Sequence, residues 1–171
     1  MTSTLQMLLL VVWANAAPVL ARLVFGHRFD WPLDGARCFL DGRPLLGASK
    51  TWRGLGAAVL TTPLLASVLG LPWLVGLVAA IAAMLGDMTA SFLKRRIGRQ
   101  PSDNVMFLDQ LPEALMTVLA VQTSIELSAG QAAIVVLGFV LIDLVLTPLA
   151  GRVRSAACLA SRRSVRKWRQ P

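Results

Sequence analysis

Three stretches of this chain carry residue types that handle phosphates and divalent metals. The first is Gly47-Ala48-Ser49-Lys50-Thr51-Trp52-Arg53-Gly54, directly before a long apolar run. Gly47 frees the backbone for a turn, and Ser49 or Thr51 can cap the helix that follows. A capped helix N-terminus offers free N–H groups to an anion, and Lys50 and Arg53 add positive charge beside it. The stretch reads equally well as a helix cap with charged anchors and an interfacial Trp52. It is not a Walker loop, because G-x-x-x-x-G-K-[ST] is absent.

The second stretch is Gly86-Asp87-Met88-Thr89-Ala90-Ser91-Phe92-Leu93-Lys94-Arg95-Arg96. Asp87, Ser91 and Lys94 fall within about 60° on a helical wheel, so they form one polar stripe. Carboxylate, hydroxyl and ammonium in line suit a metal at one end and phosphate below it. A helix end with snorkelling cations explains Lys94 to Arg96 but not Asp87. The third stretch is Leu108-Asp109-Gln110-Leu111-Pro112-Glu113. Pro112 suits a first helical turn. Asp109 and Glu113, four apart, either answer the helix dipole or ligate a divalent metal such as Mg²⁺.

The elements that must position these residues are membrane spans. The chain has 171 residues, 56% hydrophobic and 15% charged, against about a quarter charged in soluble domains. A hydrocarbon core of ~30 Å takes ~20 apolar residues per helix. Residues 4–24 supply one span. Residues 54–93 supply two, broken at Leu69-Gly70-Leu71-Pro72, and residues 111–151 two more, broken at Ser128-Ala129-Gly130-Gln131. The expected fold class is therefore an all-α integral membrane protein with five transmembrane helices. Residues 1–151 form a single membrane domain with loops 26–53 and 94–110, and residues 152–171 form a basic tail.

Positive charge orients this domain. Residues 1–21 carry no charged side chain, and all seventeen Lys and Arg lie in Arg22–Arg53, Lys94–Arg99 and Arg152–Arg169. With five spans, all three clusters share one face, which the positive-inside rule makes cytoplasmic. The N-terminus then lies outside and the C-terminus inside, in the cell (inner) membrane. Ala14-Asn15-Ala16 looks like a signal cleavage site, but the basic n-region is missing, so an uncleaved first helix is expected. The net charge of +8 reads as topogenic charge and attraction to anionic lipid rather than to nucleic acid. Cys38 and Cys158 fall on the reducing side, with no zinc spacing. His27 reads as an interfacial side chain.

Asn15, Asp87 and Asp143 lie at similar depth, ~10 Å inside the charged face at 1.5 Å per residue. That level suggests a cavity open to the cytoplasm. Each residue also has a plainer reading. Asn15 can satisfy carbonyls freed by Pro18, and Asp143 can be a buried structural acid. Glu126 reads as a solvated helix terminus.

At these residues the sequence resembles the CDP-archaeol synthase family, membrane cytidylyltransferases related to the phosphatidate cytidylyltransferases. The matching stretches are Asn15 to Val19, Leu33-Asp34-Gly35 with Phe39 to Arg43, Leu46-Gly47 through Lys50 to Gly54, Gly86-Asp87 to Arg96, and Leu108-Asp109-Gln110. The resemblance implies a five-span enzyme that transfers CMP from CTP to a lipid phosphate, releases pyrophosphate and uses Mg²⁺. It implies metal ligation by Asp87 and Asp109 and phosphate binding by Lys50, Arg53, Lys94 and Arg95; from the residues themselves Thr51 and Ser91 join the phosphate set, and Glu113 is the acid expected to substitute as a further metal ligand. Asp87, Asp109 and Lys94 form the implied catalytic set. The implied partners are CTP, a lipid phosphate acceptor and membrane lipids, with a homodimer a further expectation.

Two departures stand out. The family's Asp-Gln-Leu-Asp reads Asp109-Gln110-Leu111-Pro112, with the carboxylate displaced to Glu113. Its Gly-Asp-Gly-Lys turn reads Gly47-Ala48-Ser49-Lys50. The many Arg against three Lys also look unlike many archaeal members, so the expected acceptor is an archaetidic-acid-type lipid or a phosphatidic acid. The alternative is a non-catalytic membrane scaffold or lipid-binding protein derived from the family. Asp34-Gly35-Ala36-Arg37 also suggests a CDP-alcohol phosphotransferase, a reading its wrong spacing rejects.

Overall fold

Among the described residues five helices form where the apolar runs lie: α1 (Ser3–Phe25), α2 (Trp52–Val68), α3 (Trp73–Arg96), α4 (Gln110–Ile125) and α5 (Ala129–Val145). The structure is a computed structural model and describes residues 3–99 and 110–145. The expectations for Asp109, for most of the 94–110 loop and for the 152–171 tail lie outside the described residues.

Local chemistry sets the helix ends. Thr51 caps α2, its hydroxyl accepting the Gly54 N–H at 3.3 Å. Beyond α2, Gly70 adopts φ +78, a conformation open to glycine at little steric cost. The Leu69 and Leu71 N–H groups then turn back to the Leu65 and Ala66 carbonyls, each at 2.9 Å. Pro72 opens α3. Ser128 and Gln131 form a reciprocal capping box for α5: Gln131 N–H donates to the Ser128 hydroxyl at 3.3 Å, and Ser128 N–H to the Gln131 amide oxygen at 2.9 Å. Glu126 is exposed in the α4–α5 turn with φ +52.

The central helix is α3, which packs on α1, α2 and α4. At one end of the bundle Met7, Leu10, Val11, Val121 and Phe139 fill a core of branched and aromatic side chains. Phe139 is 2% exposed, so truncating it to Ala costs about 3–5 kcal/mol. A second core, Ala14, Ala17, Ala58, Ala80 and Ala83 with Met84, consists of small residues. Small side chains let helix backbones approach closely where no hydrophobic force joins them in lipid.

Outside, the bundle is apolar. Leu60, Leu64 and Val68 on α2, Leu119 on α4, and Leu137, Leu141 and Val145 on α5 are all exposed. Such a surface suits acyl chains and is penalised by water. Among the described residues two helices, α1 and α3, are long and apolar enough to cross a membrane. The sequence expectation of five full-length spans is met in number but not in length. α2 has 17 residues and α4 has 16, or about 24–26 Å at 1.5 Å per residue. The Gly70 and Glu126 turns end them early.

Gln6 Nε2 donates to the Leu69 carbonyl at 2.9 Å, which ties the start of α1 to the α2–α3 turn. The end of α1, the start of α2, the end of α3 and the start of α4 therefore meet at the opposite end. The 26–51 segment covers that end.

Candidate active site

This segment is fixed by a buried carboxylate. Asp34 accepts three backbone N–H bonds, from Ala36 at 3.0 Å, Leu46 at 2.9 Å and Gly47 at 3.0 Å. Burial by itself would raise the Asp34 pKa. The N–H groups of Gly47, Leu46 and Ala36 outweigh burial and hold it below the ordinary aspartate value. The loop is thus cinched across 13 residues. Leu33 N–H donates to the Lys50 carbonyl at 2.8 Å, and Trp52 N–H to the Trp31 carbonyl at 3.1 Å. Lys50 is carried to the mouth of the bundle by this closed loop.

Arginines clamp the loop to the helices. Arg53 Nη1 donates to the Gly26 carbonyl at 2.8 Å and the Arg28 carbonyl at 2.7 Å, while Nη2 pairs with Asp30 at 2.8 Å. Its Nε is buried with no hydrogen-bond partner. Arg96 pairs with Asp41, donates to the Pro44 carbonyl at 2.7 Å and lies 4.9 Å over the rings of Phe39 and Phe92. Arg43 in return donates to the Arg95 and Arg96 carbonyls, placing a cation at the C-terminus of α3.

Asp87 lies on α3 one residue after Gly86. A Cβ at Gly86 would stand 2.5 Å from the Pro112 carbonyl oxygen and 2.6 Å from Glu113 Cα. Only glycine admits the first turn of α4 this close to α3. The approach sets Glu113 in side-chain hydrogen-bond contact with Asp87, with Lys50 and Asp143 near enough to act on it by charge. Lys50 Nζ pairs with both carboxylate oxygens of Asp87. Lys50 is thus the cation that stands beside this acid pair. Gln110 Nε2 donates to Asp143 at 2.9 Å, joining α4 to α5.

Lys50 and Asp87 border a cleft lined also by Pro18, Arg22, Arg53 and Met84, with a cavity volume of about 50 Å³. Ser91, Lys94 and Arg95 are buried below Asp87 on α3. Arg95 donates to the Arg99 carbonyl, and its Nε is buried without a partner. Among the described residues no three acids, histidines or cysteines gather around one point. The acids form the pair Asp87–Glu113, a donor set that fits an ion taking one or two carboxylates and completing its shell with substrate phosphates.

Of the sequence-singled residues, Asp87, Glu113, Lys50, Thr51 and Arg53 come together at one end. Asp109 lies outside the described residues. Asn15 stays in its own helix, donating to the Val11 carbonyl at 3.0 Å. That carbonyl is not the one Pro18 frees, which belongs to Ala14 four residues before it. Sequence reasoning did not single out Asp34, Arg43 and Arg96 as the residues that shape the loop. The Asp34-Gly35 dipeptide is a turn signal, but the partners of Asp34, 12 and 13 residues away, lie beyond any local pattern.

An apolar-coated helical bundle with an acid pair and buried cations at one end defines a class: integral membrane proteins whose charged groups converge at one end of the bundle. The family described as CarS-like, CDP-archaeol synthase, matches residues 1–154. The chain belongs to the CDP-archaeol synthase family, a family of CTP-dependent lipid cytidylyltransferases. It is 32% identical over 165 residues to a CDP-archaeol synthase of Pyrobaculum arsenaticum, covering 91% of each chain. It is 40% identical over 104 residues to that of Hyperthermus butylicus, covering 57% of this chain and 59% of that protein's length. It is also similar to the solved structure of an intramembrane enzyme for archaeal membrane lipid biosynthesis. There the TM-score is 0.67 and the identity 30%, over 83% of this chain and 90% of the other.

Proposed function

We propose that this chain transfers the cytidylyl group of CTP to a lipid phosphate, giving a CDP-lipid and pyrophosphate. A phosphate oxygen of the lipid forms a bond to the α-phosphorus of CTP, and the bond from that phosphorus to the β-phosphate bridging oxygen breaks. The observation that carries this reading is the Asp87–Glu113 pair meeting Lys50 in a cleft among buried cations.

Asp87 and Glu113, with Asp109 one residue before α4, would hold Mg²⁺, which when bound neutralises phosphate charge and polarises the phosphoryl oxygens. Lys50, with the Nε groups of Arg53 and Arg95, binds phosphate oxygens, and Lys94 and Ser91 line their path along α3. Thr51 keeps the α2 N-terminus in place. Their task is positioning and charge stabilisation, which dominate this type of transfer. The small-residue core and the clamps on Arg53 and Arg96 hold these groups rigid.

Orientation follows from charge. The site end gathers Arg22, Arg28, Arg37, Arg43, Lys50, Arg53 and Lys94 to Arg96, so it faces the cytoplasm. The acceptor is an archaetidic-acid-type ether lipid or a phosphatidic acid.

The test is to incubate purified protein with CTP, Mg²⁺ and each lipid phosphate and to measure pyrophosphate. Release with at least one acceptor, lost in Asp87→Ala, is expected. No release with any acceptor, or full activity in Asp87→Ala, defeats the reading.

A further inference from the structure

The Lys50–Asp87 pair has a consequence for the order in which the site fills. Lys50 Nζ lies on both oxygens of Asp87, so both are engaged by an internal cation. Glu113 leans on the same pair from α4. The pair is partly sheltered, with side-chain exposures of 18% for Lys50 and 23% for Asp87. Its attraction is therefore less screened than that of a surface pair. Lys50 and Asp87 line the same cleft.

We propose that Lys50 is an internal competitor for the divalent cation. It closes the acid pair until a nucleotide phosphate draws the ammonium away. Lys50 and the metal then bind Asp87 in mutual exclusion, and phosphate binding at Lys50 uncovers the metal ligand. Metal and nucleotide consequently load together, and metal alone binds weakly. By linkage, anything that draws Lys50 off Asp87 tightens metal binding, and the bound metal in turn leaves Lys50 free for phosphate. This extends the cytidylyl-transfer reading and rests on its assignment of Asp87 to the metal.

The experiment uses Mn²⁺ alone, without CTP, and measures its binding to purified full-length protein by electron paramagnetic resonance. Lys50→Gln removes the competitor. Its Mn²⁺ affinity is expected to rise about tenfold, which corresponds to about 1.4 kcal/mol. Arg22→Gln removes a charge from the same cleft without touching Asp87 and controls for general electrostatics; its affinity is expected to rise about twofold or less. Lys50→Arg keeps a cation on Asp87 and should bind Mn²⁺ as the wild type does. Lys50→Gln with Asp87→Asn should lose the gain.

Equal affinity in Lys50→Gln and Arg22→Gln overturns the proposal, as does a gain that survives Asp87→Asn. No Mn²⁺ binding by Lys50→Gln overturns it too. Pyrophosphate release by the wild-type protein with CTP and lipid tests the activity itself. A failed latch with an active enzyme is thereby separated from a failed activity assignment.

Discussion

Replacing Gly86 by Ala perturbs the contact that assembles the acid pair. The new Cβ would lie 2.5 Å from the Pro112 carbonyl oxygen, while ordinary contact begins near 3.4 Å, so α4 must retreat by about 0.9 Å. The obstacle is backbone, which cannot rotate aside as a side chain can. Overpacking of this kind costs about 1–3 kcal/mol, offset by up to about 1 kcal/mol of helix propensity gained over glycine. Stability should fall modestly. Function should fall more, because a displacement of about 1 Å in a catalytic group costs on the order of 100-fold in rate. Gly56→Ala is the control: nothing lies within 4 Å of that added Cβ, so it should be neutral or stabilise by up to about 1 kcal/mol. The assays are kcat from pyrophosphate release and thermal unfolding in detergent. A Gly86→Ala protein with kcat within about twofold of wild type would refute the link between the Gly86 contact and the site.

Three further outcomes are expected. The lowered pKa of Asp34 makes its three hydrogen bonds a source of stability that is present above the unfolded aspartate pKa of about 4. This contribution is lost as pH falls through the still lower folded value, so thermal unfolding measured downward from pH 5 should show an acid limb that Asp34→Asn flattens. Arg53→Lys cannot reproduce the fork to Gly26, Arg28 and Asp30. It should cost about 2 kcal/mol and open the 26–30 segment to limited proteolysis, and unchanged cleavage would count against the clamp. Ser128→Ala removes the α5 cap and should cost about 1 kcal/mol in thermal unfolding, without changing kcat.

Much of the fold was legible because its signals are local. The breaks at residues 69–72 and 128–131 are turn chemistry: the first became the Gly70 turn and the second the α5 capping box. Thr51 as a cap was readable from its place before an apolar run. Asp87 was conspicuous because a carboxylate inside an apolar helix needs a partner. That partner was not legible. Lys50 is 37 residues away from Asp87, and Glu113 reaches it only across the α3–α4 crossing. Arg53 read as a phosphate ligand, yet most of its donors are spent on the loop.

By itself, then, the sequence determined the number of helices, their approximate limits, the gathering of cations at one end and the acid that must face inward. Each follows from the period, composition or turn residues of a short window. Tertiary structure alone decided which acid meets Asp87, which cation answers it and how the 26–51 segment is folded over them. Those pairings depend on how closely two helix backbones approach, and here that distance is set by the missing side chain of Gly86. No periodicity encodes such a distance, because it is a property of two surfaces in contact.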